Sequence, residues 1–360
     1  MLLGIKRVLL EQGAESTSLG SRILERLPGA EVEFISHPGH RDNSPFIEKQ
    51  TLQLGSFPGQ TLKKCPGTKG YLCCGYQILH IGTNCPMDCS YCILQAYLNQ
   101  PYLRVFTNLE EKLAELAAHL DAHPELLFRI GTGEFTDSLA LDPVTGWTDL
   151  LLPFFEKRSN ALLELKTKSV HTERLLDSSC RKRIVVSWSL NSPYVVSREE
   201  HGAPSIRQRL EAARRCQQEG FVVGFHFDPL VPHPGWKEEY CKTVDLMAEH
   251  LVPEKVIWIS MGCMRYLPEL KSIIRRRHPK SMVLNGEFIP GLDGKMRLFK
   301  PVRIEMYAYM AEMLAQWHRD AGLYLCMESP DIWQETLGWT PNDSDGLSRF
   351  LDDRARRFFG

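Results

Sequence analysis

Long apolar runs are missing from this 360-residue chain. No stretch reaches the roughly 18 consecutive apolar residues of a membrane-spanning helix, so none is expected and no membrane partner with it. The first fifteen residues lack an unbroken apolar core, because Lys6 and Arg7 interrupt it, so no signal peptide is expected. Net charge is also nearly absent, at −1, so no global field steers the molecule toward nucleic acid, and any such surface must be local. Repeats and low-complexity tracts are lacking too. Without an export signal, the eleven cysteines are expected in the reducing cytoplasm, as metal ligands or redox groups rather than disulfides.

What is present is a strand–helix alternation. IKRVLL, SLGSRILERL and AEVEFI read as a small N-terminal βαβ unit, and His37 to Thr68, rich in Gly, Pro, Ser and charge, reads as a loop. From Tyr76 six short apolar strands alternate with helices: YQILHIG, LLFRIGTGE, ALLELKTKS, RIVVSWSLNS, FVVGFHFDPL and KVIWISMGC. Crossover helices between strands demand a parallel sheet, and this many units curl it into an α/β fold of the partial (β/α)6, TIM-like barrel type. The expected organisation is an N-terminal unit and linker over 1–70, a barrel over 71–265, a basic hairpin and helix over 266–330, and a tail over 331–360. Chemistry in such folds collects at the C-terminal ends of the strands, where Cys85, Glu134, Lys168, Asn191, Asp228 and Cys263 fall.

The stretch GTNCPMDCSYCILQ holds Cys85, Cys89 and Cys92, spaced C-x3-C-x2-C, on the loop after the first barrel strand. Three thiolates lack a fourth partner. A zinc knuckle completed by Cys73, Cys74 or His80 is one reading. The other is a [4Fe–4S] cluster with one iron left open. The spacing, with Tyr91 just before the last cysteine, resembles the radical S-adenosylmethionine superfamily, in which the open iron chelates the amino and carboxylate groups of S-adenosylmethionine. Gly131-Thr132-Gly133-Glu134, at the end of the next strand, resembles that superfamily's Gly-Gly-Glu element. There the glycines admit the methionine moiety and the carboxylate accepts from its ammonium. The resemblance makes Tyr91, Gly131, Gly133, Glu134, Thr136 and Asp137 candidate cofactor contacts. Lys168 is a candidate partner of the methionine carboxylate, and Ser189 or Asn191 of the ribose.

Closer still, the chain is similar to the spore photoproduct lyase family, whose members revert a UV-induced thymine–thymine adduct in DNA. The likeness is densest around the cysteines, in Cys92, Leu94, Gln95, Leu98, Pro101, Tyr102, Arg104, Val105, Asn108 and Leu109. It continues in Thr167, Lys168 and His171, in Ser189, Asn191, Ser192, Tyr194 and Val195, and in Pro229, His233, Gly235 and Trp236. The resemblance implies a radical that abstracts hydrogen from a nucleic-acid lesion or base, and an electron donor such as ferredoxin or flavodoxin. Two positions depart from it. The cysteine that returns a hydrogen atom in the lyase falls at Glu134, and the tyrosine of the same route is Ile93. A substitute thiol is then needed, with Cys263 at a strand end the first choice, or the reaction is a different one on a non-nucleic-acid substrate. Cys65, Cys73 and Cys74 have no clear counterpart; they are either an auxiliary metal site or free cysteines that pack as small hydrophobes. Between 271 and 303, nine Lys or Arg face only Glu287 and Asp293, a local excess of seven positive charges. Within it Lys295, Arg297, Lys300 and Arg303, on a Gly-turned hairpin and just after it, are the candidate nucleic-acid contacts. A non-catalytic zinc or iron–sulfur DNA-binding module remains the reading from outside enzymology.

Overall fold

The computed structural model describes residues 2–36, 48–65 and 70–360. Its main sheet has eight strands. Their order across the sheet is Leu323–Leu325, Val256–Cys263, Val222–Leu230, Ile184–Ser189, Ala161–Thr167, Phe128–Gly131, Gln77–Leu79 and Leu62–Lys64. Seven run parallel and only the edge strand Leu62–Lys64 is antiparallel to its neighbour. The six expected barrel strands are all here. Their central members are apolar on both faces because helices such as Trp147–Glu156, Ile206–Gln218 and Trp236–His250 cover the outside while residues from neighbouring strands fill the inside. The inner floor carries a buried carboxylate. Glu164 accepts from Ser187 Oγ at 2.5 Å and Trp258 Nε1 at 2.8 Å, and lies 2.9 Å from His226 Nε2. Burial opposes its ionisation, but His226 and these donors outweigh it and hold it down to about 2.

A second sheet, of order Glu31–Ile35, Arg7–Glu11, Thr51–Gly55, Leu103–Phe106 and Gly82–Thr83, stands at the N-terminal side. The expected βαβ unit forms its first half, with Leu19 and Ile23 of the helix Ser18–Arg26 buried and Thr17 capping the Gly20 N–H at 3.0 Å. The rest corrects the sequence reading. Thr51–Gly55, inside the stretch expected as loop, is a fully buried strand, and Leu62–Lys64 is a second, largely exposed strand at the sheet edge. Residues 37–47 and 66–69 of that stretch lie outside the described residues. Leu323–Leu325, a strand the sequence reading did not mark, extends the main sheet beside Val256–Cys263.

This second sheet positions the cysteines. Gly82–Thr83 enters the cysteine loop and Leu103–Phe106 leaves it, and the two pair antiparallel, Gly82 with Val105 and Thr83 with Arg104. The loop is closed at its base by a ladder. Midway, Asp88–Cys89 pairs antiparallel with Glu200–His201 beyond the strand Ile184–Ser189, which ties the loop to the barrel.

Candidate active site

At the start of the loop Asn84 sits in the left-handed region, at φ 69°. Its side chain compensates for the strained backbone. Oδ1 accepts from the Cys85 N–H at 3.0 Å and from Lys49 Nζ at 2.6 Å, and Nδ2 donates to the Tyr102 carbonyl at 3.2 Å. The turn that follows is held by Gln95 Nε2, which donates to the carbonyls of Cys89 and Ser90 at 3.0 Å each. Behind it, Arg277 donates to Asp88 at 2.7 Å and to Gln95. Tyr91 donates its hydroxyl to Glu200, which is paired with the fully buried Arg209. Arg209 in turn donates to the Ser189 carbonyl at 2.9 Å. Two charges so deep are tolerable only as such a pair with further hydrogen bonds.

The thiols of Cys85, Cys89 and Cys92 all border one cavity of about 310 Å³ at the C-terminal ends of the barrel strands. Glu134, Thr136, Asp137, Lys168, Ser189 and Tyr91 border it too, so most of the expected cofactor contacts meet there. The Glu134 carboxylate makes no hydrogen bond or ion pair among the described residues and is free to accept one. Lys168 Nζ stands 5.6 Å from the centre of the Tyr91 ring. Burial opposes its charge, but Glu200 together with Cys89 and Cys92 outweighs this and raises its pKa, so the lysine stays cationic. Thr136 borders the cavity and is 5% exposed, and its hydroxyl oxygen is sealed from solvent with no hydrogen-bond partner among the described residues. Asp137 is spent on the fold: it accepts from the N–H groups of Leu139, Ala140 and Lys168 and from Thr167 Oγ1 at 2.6 Å. The glycines also answer to packing. A Cβ on Gly131 would lie 1.5 Å from the Tyr76 hydroxyl, and one on Gly133 would lie 2.8 Å from Lys166 Cβ. Asn191 does not border the cavity; it bonds the Pro229 carbonyl and receives the Tyr240 hydroxyl at 2.6 Å.

Sequence reasoning overlooked part of the wall. Lys166, Asp228, Arg265 and Cys326 border the cavity, and so do Cys65, Cys73 and Cys74. Lys166 was legible in principle, since positions two apart on a strand share a face with Lys168. Cys326 was not, because only the short strand Leu323–Leu325 brings it there. Cys263 is buried beside Tyr307, whose hydroxyl accepts its N–H, and is not among the cavity residues. As they stand, no three Cys, His, Asp or Glu side chains among the described residues are grouped closely enough to hold a metal ion, and this includes the cluster cysteines. The donor set nonetheless suits an iron–sulfur cluster. Three thiols from one clamped loop share a cavity with a free carboxylate and a cationic lysine.

The basic hairpin exists, as Phe288–Pro290 against Met296–Leu298, but its charges are engaged within the fold. Arg297 is bonded to Asp293 at 2.7 Å and lies over the Tyr71 ring at 3.8 Å, with both ion-pair side chains 2% exposed. Arg303 pairs with Glu328 at 3.0 Å, and Lys300 with Asp331 and Glu335. Lys295 borders the cavity with Asp293 3.8 Å away. The exposed cations lie elsewhere. Lys271, Arg275, Arg276 and Lys280, on and just after the helix Leu270–Arg277, form no ion pair among the described residues. Arg277 fastens that same helix to the cysteine loop.

A half-barrel of parallel strands with a three-cysteine loop at its open edge is the architecture of a radical S-adenosylmethionine enzyme. The family model for spore photoproduct lyase matches residues 9–297. The chain belongs to that family. It is 26% identical over 294 residues to a spore photoproduct lyase of Geobacillus sp. (strain Y412MC61), covering 77% of this chain and 83% of the relative. To the lyase of Clostridium acetobutylicum (strain ATCC 824) it is 23% identical over 305 residues, covering 82% and 87%. Among solved structures, a spore photoproduct lyase variant with bound AdoMet and dinucleoside spore photoproduct superposes with a TM-score of 0.77. It is 23% identical and the match covers 90% of this chain and 99% of that one. A spore photoproduct lyase complexed with the dinucleoside also gives 0.77, over 89% and 98%.

Proposed function

We propose that this chain is a radical S-adenosylmethionine lyase that acts on a thymine lesion in DNA of the spore-photoproduct type. The observation that carries the reading is the convergence of Cys85, Cys89 and Cys92 with Glu134 and Lys168 on one cavity, in a chain of this family. Bound there, a [4Fe–4S] cluster with S-adenosylmethionine on its open iron supplies a 5′-deoxyadenosyl radical once reduced by a donor of the ferredoxin or flavodoxin kind. The chain's own residues bind and orient. Glu134 accepts from the methionine ammonium and Lys168 donates to its carboxylate. Ser189, at the end of its strand, serves the ribose. The ladder at the base of the cysteine loop and the Tyr91–Glu200–Arg209 chain hold the three thiolates at the cavity rim, and the apolar wall around them excludes water.

For the nucleic acid, we assign phosphate contact to the exposed face of Lys271, Arg275, Arg276 and Lys280, beside the cysteine loop, and to Lys295 at the cavity. A lesion within a duplex must be unstacked to reach this cavity. A second reading, the same radical on a substrate that is not nucleic acid, is favoured by Glu134 and Ile93 and by the neutralised hairpin. One experiment separates the two. Anaerobically reconstituted, reduced protein is given S-adenosylmethionine and a thymine dinucleotide carrying the spore lesion, and products are followed by mass spectrometry. The expected result is 5′-deoxyadenosine together with repaired dinucleotide. Formation of 5′-deoxyadenosine without repair would select the second reading.

A further inference from the structure

Any radical left on a substrate in this cavity must be quenched by a hydrogen atom before the product leaves. A carboxylate O–H or an aliphatic C–H, as Glu134 and Ile93 offer, is a poor donor, and a thiol S–H is a good one. Four thiols outside the cysteine loop border the cavity: Cys65, Cys73, Cys74 and Cys326. They differ in what holds them. Cys73 and Cys74 are free thiols engaged with each other, an interaction that lowers the Cys73 pKa and raises that of Cys74, and neither thiol is tied to the barrel wall among the described residues. Cys65 has no side-chain anchor among the described residues. Cys326 follows the edge strand Leu323–Leu325, and its N–H donates to the Met261 carbonyl at 2.8 Å, so its backbone is fixed to the barrel. Arg265 Nη2 donates to its sulfur at 3.6 Å, and the Asp228 carboxylate is a charged neighbour of the thiol. Asp228 and Arg265 are themselves joined at 3.0 Å.

Resting on the lyase reading above, we infer that Cys326 is the hydrogen-atom donor of this enzyme, positioned by Asp228 and Arg265. In the step, the S–H bond of Cys326 breaks homolytically as a C–H bond forms on the substrate radical, leaving a thiyl on Cys326. The thiyl returns to the thiol by taking one electron from the low-potential donor the enzyme already requires and one proton from solvent. Burial first, then the neighbouring Asp228, pushes the Cys326 pKa up to about 12, which keeps the hydrogen on sulfur through the neutral range. Because a thiol exchanges its proton with water, the donated atom carries the solvent's isotope.

The test is repair in D2O by wild type, Cys326→Ser and Cys65→Ser, each with its iron content measured to establish an intact fold. Serine keeps a polar acceptor beside Arg265 and Asp228 but offers an O–H too strong to give up a hydrogen atom. Wild type and Cys65→Ser are expected to place about one deuterium in each repaired dinucleotide. Cys326→Ser should lose repair at least about tenfold while it still consumes the lesion and forms 5′-deoxyadenosine. A second readout is independent of turnover: alkylation of Cys326 in the reduced, metal-free protein, mapped by mass spectrometry, should be slowed by the lesion dinucleotide. Labelled repair at the wild-type rate by Cys326→Ser, or its loss in Cys65→Ser instead, overturns the donor alone. Wild type that makes no 5′-deoxyadenosine with this lesion overturns the lyase reading and the donor with it.

Discussion

At the scale of single residues, the cations of the hairpin show how a charge excess in sequence can vanish in three dimensions. Arg297 counts as positive along the chain, yet in the fold it is one half of a buried pair with Asp293. Burial alone would raise the Asp293 pKa, but the hydrogen-bonded Arg297 outweighs it and holds the carboxyl below its ordinary range. A depressed carboxyl stabilises the fold fully above its unfolded pKa of about 3.9 and loses that contribution as pH falls through the folded value. Asp293→Asn is therefore expected to destabilise by about 3–5 kcal/mol at pH 7, because it leaves a buried guanidinium uncompensated. The gap should persist to about pH 5 and begin to narrow below about pH 4, by about 1.4 kcal/mol per pH unit at most. Urea-unfolding midpoints of the two proteins from pH 7 to 3 check this. A gap that does not depend on pH would assign the loss to packing rather than to charge.

At the scale of elements, the six parallel strands were legible because a strand covered on both faces must be apolar almost throughout. The cysteine loop was legible because its three cysteines are local in sequence. What was not legible depends on partners distant in the chain. TLQLG, at 51–55, is flanked by residues of loop character, and only pairing with Arg7–Glu11 and Leu103–Phe106 makes it a buried strand. The partners of Lys300 and Arg303 are Asp331, Glu335 and Glu328, about thirty residues on. Cys326 meets Asp228 only because the last barrel strand closes the sheet beside Val256–Cys263. The helix Leu270–Arg277 carries the exposed charge instead, and its face is set by Arg277 pointing inward to Asp88. Neutralising Lys271, Arg275, Arg276 and Lys280 together should weaken duplex binding and lower the slope of log affinity against log salt by about 3–4, close to 0.9 for each lost phosphate contact. Fluorescence anisotropy across a salt series checks this. An unchanged slope would move the nucleic-acid surface elsewhere.

At the scale of the molecule, the two sheets divide the work. The barrel supplies the cavity floor through Glu134, Lys166, Lys168 and Asp228, and the N-terminal sheet clamps the base of the loop that carries the thiols. The C-terminal helix Ser344–Phe359 completes the barrel from outside, where Asp352 takes Arg129 at 2.7 Å and Arg354 reaches the Ile257 carbonyl. No helix among the described residues is long and apolar enough to cross a membrane. The central claim, that three thiols here hold a cluster whose open iron takes S-adenosylmethionine, is tested most directly by spectroscopy on the anaerobically reconstituted, reduced protein. The expected result is about four irons per chain bound through Cys85, Cys89 and Cys92, with an electron paramagnetic resonance signal that shifts when S-adenosylmethionine is added. Colourless protein carrying zinc, or an iron signal that S-adenosylmethionine leaves unmoved, would contradict it.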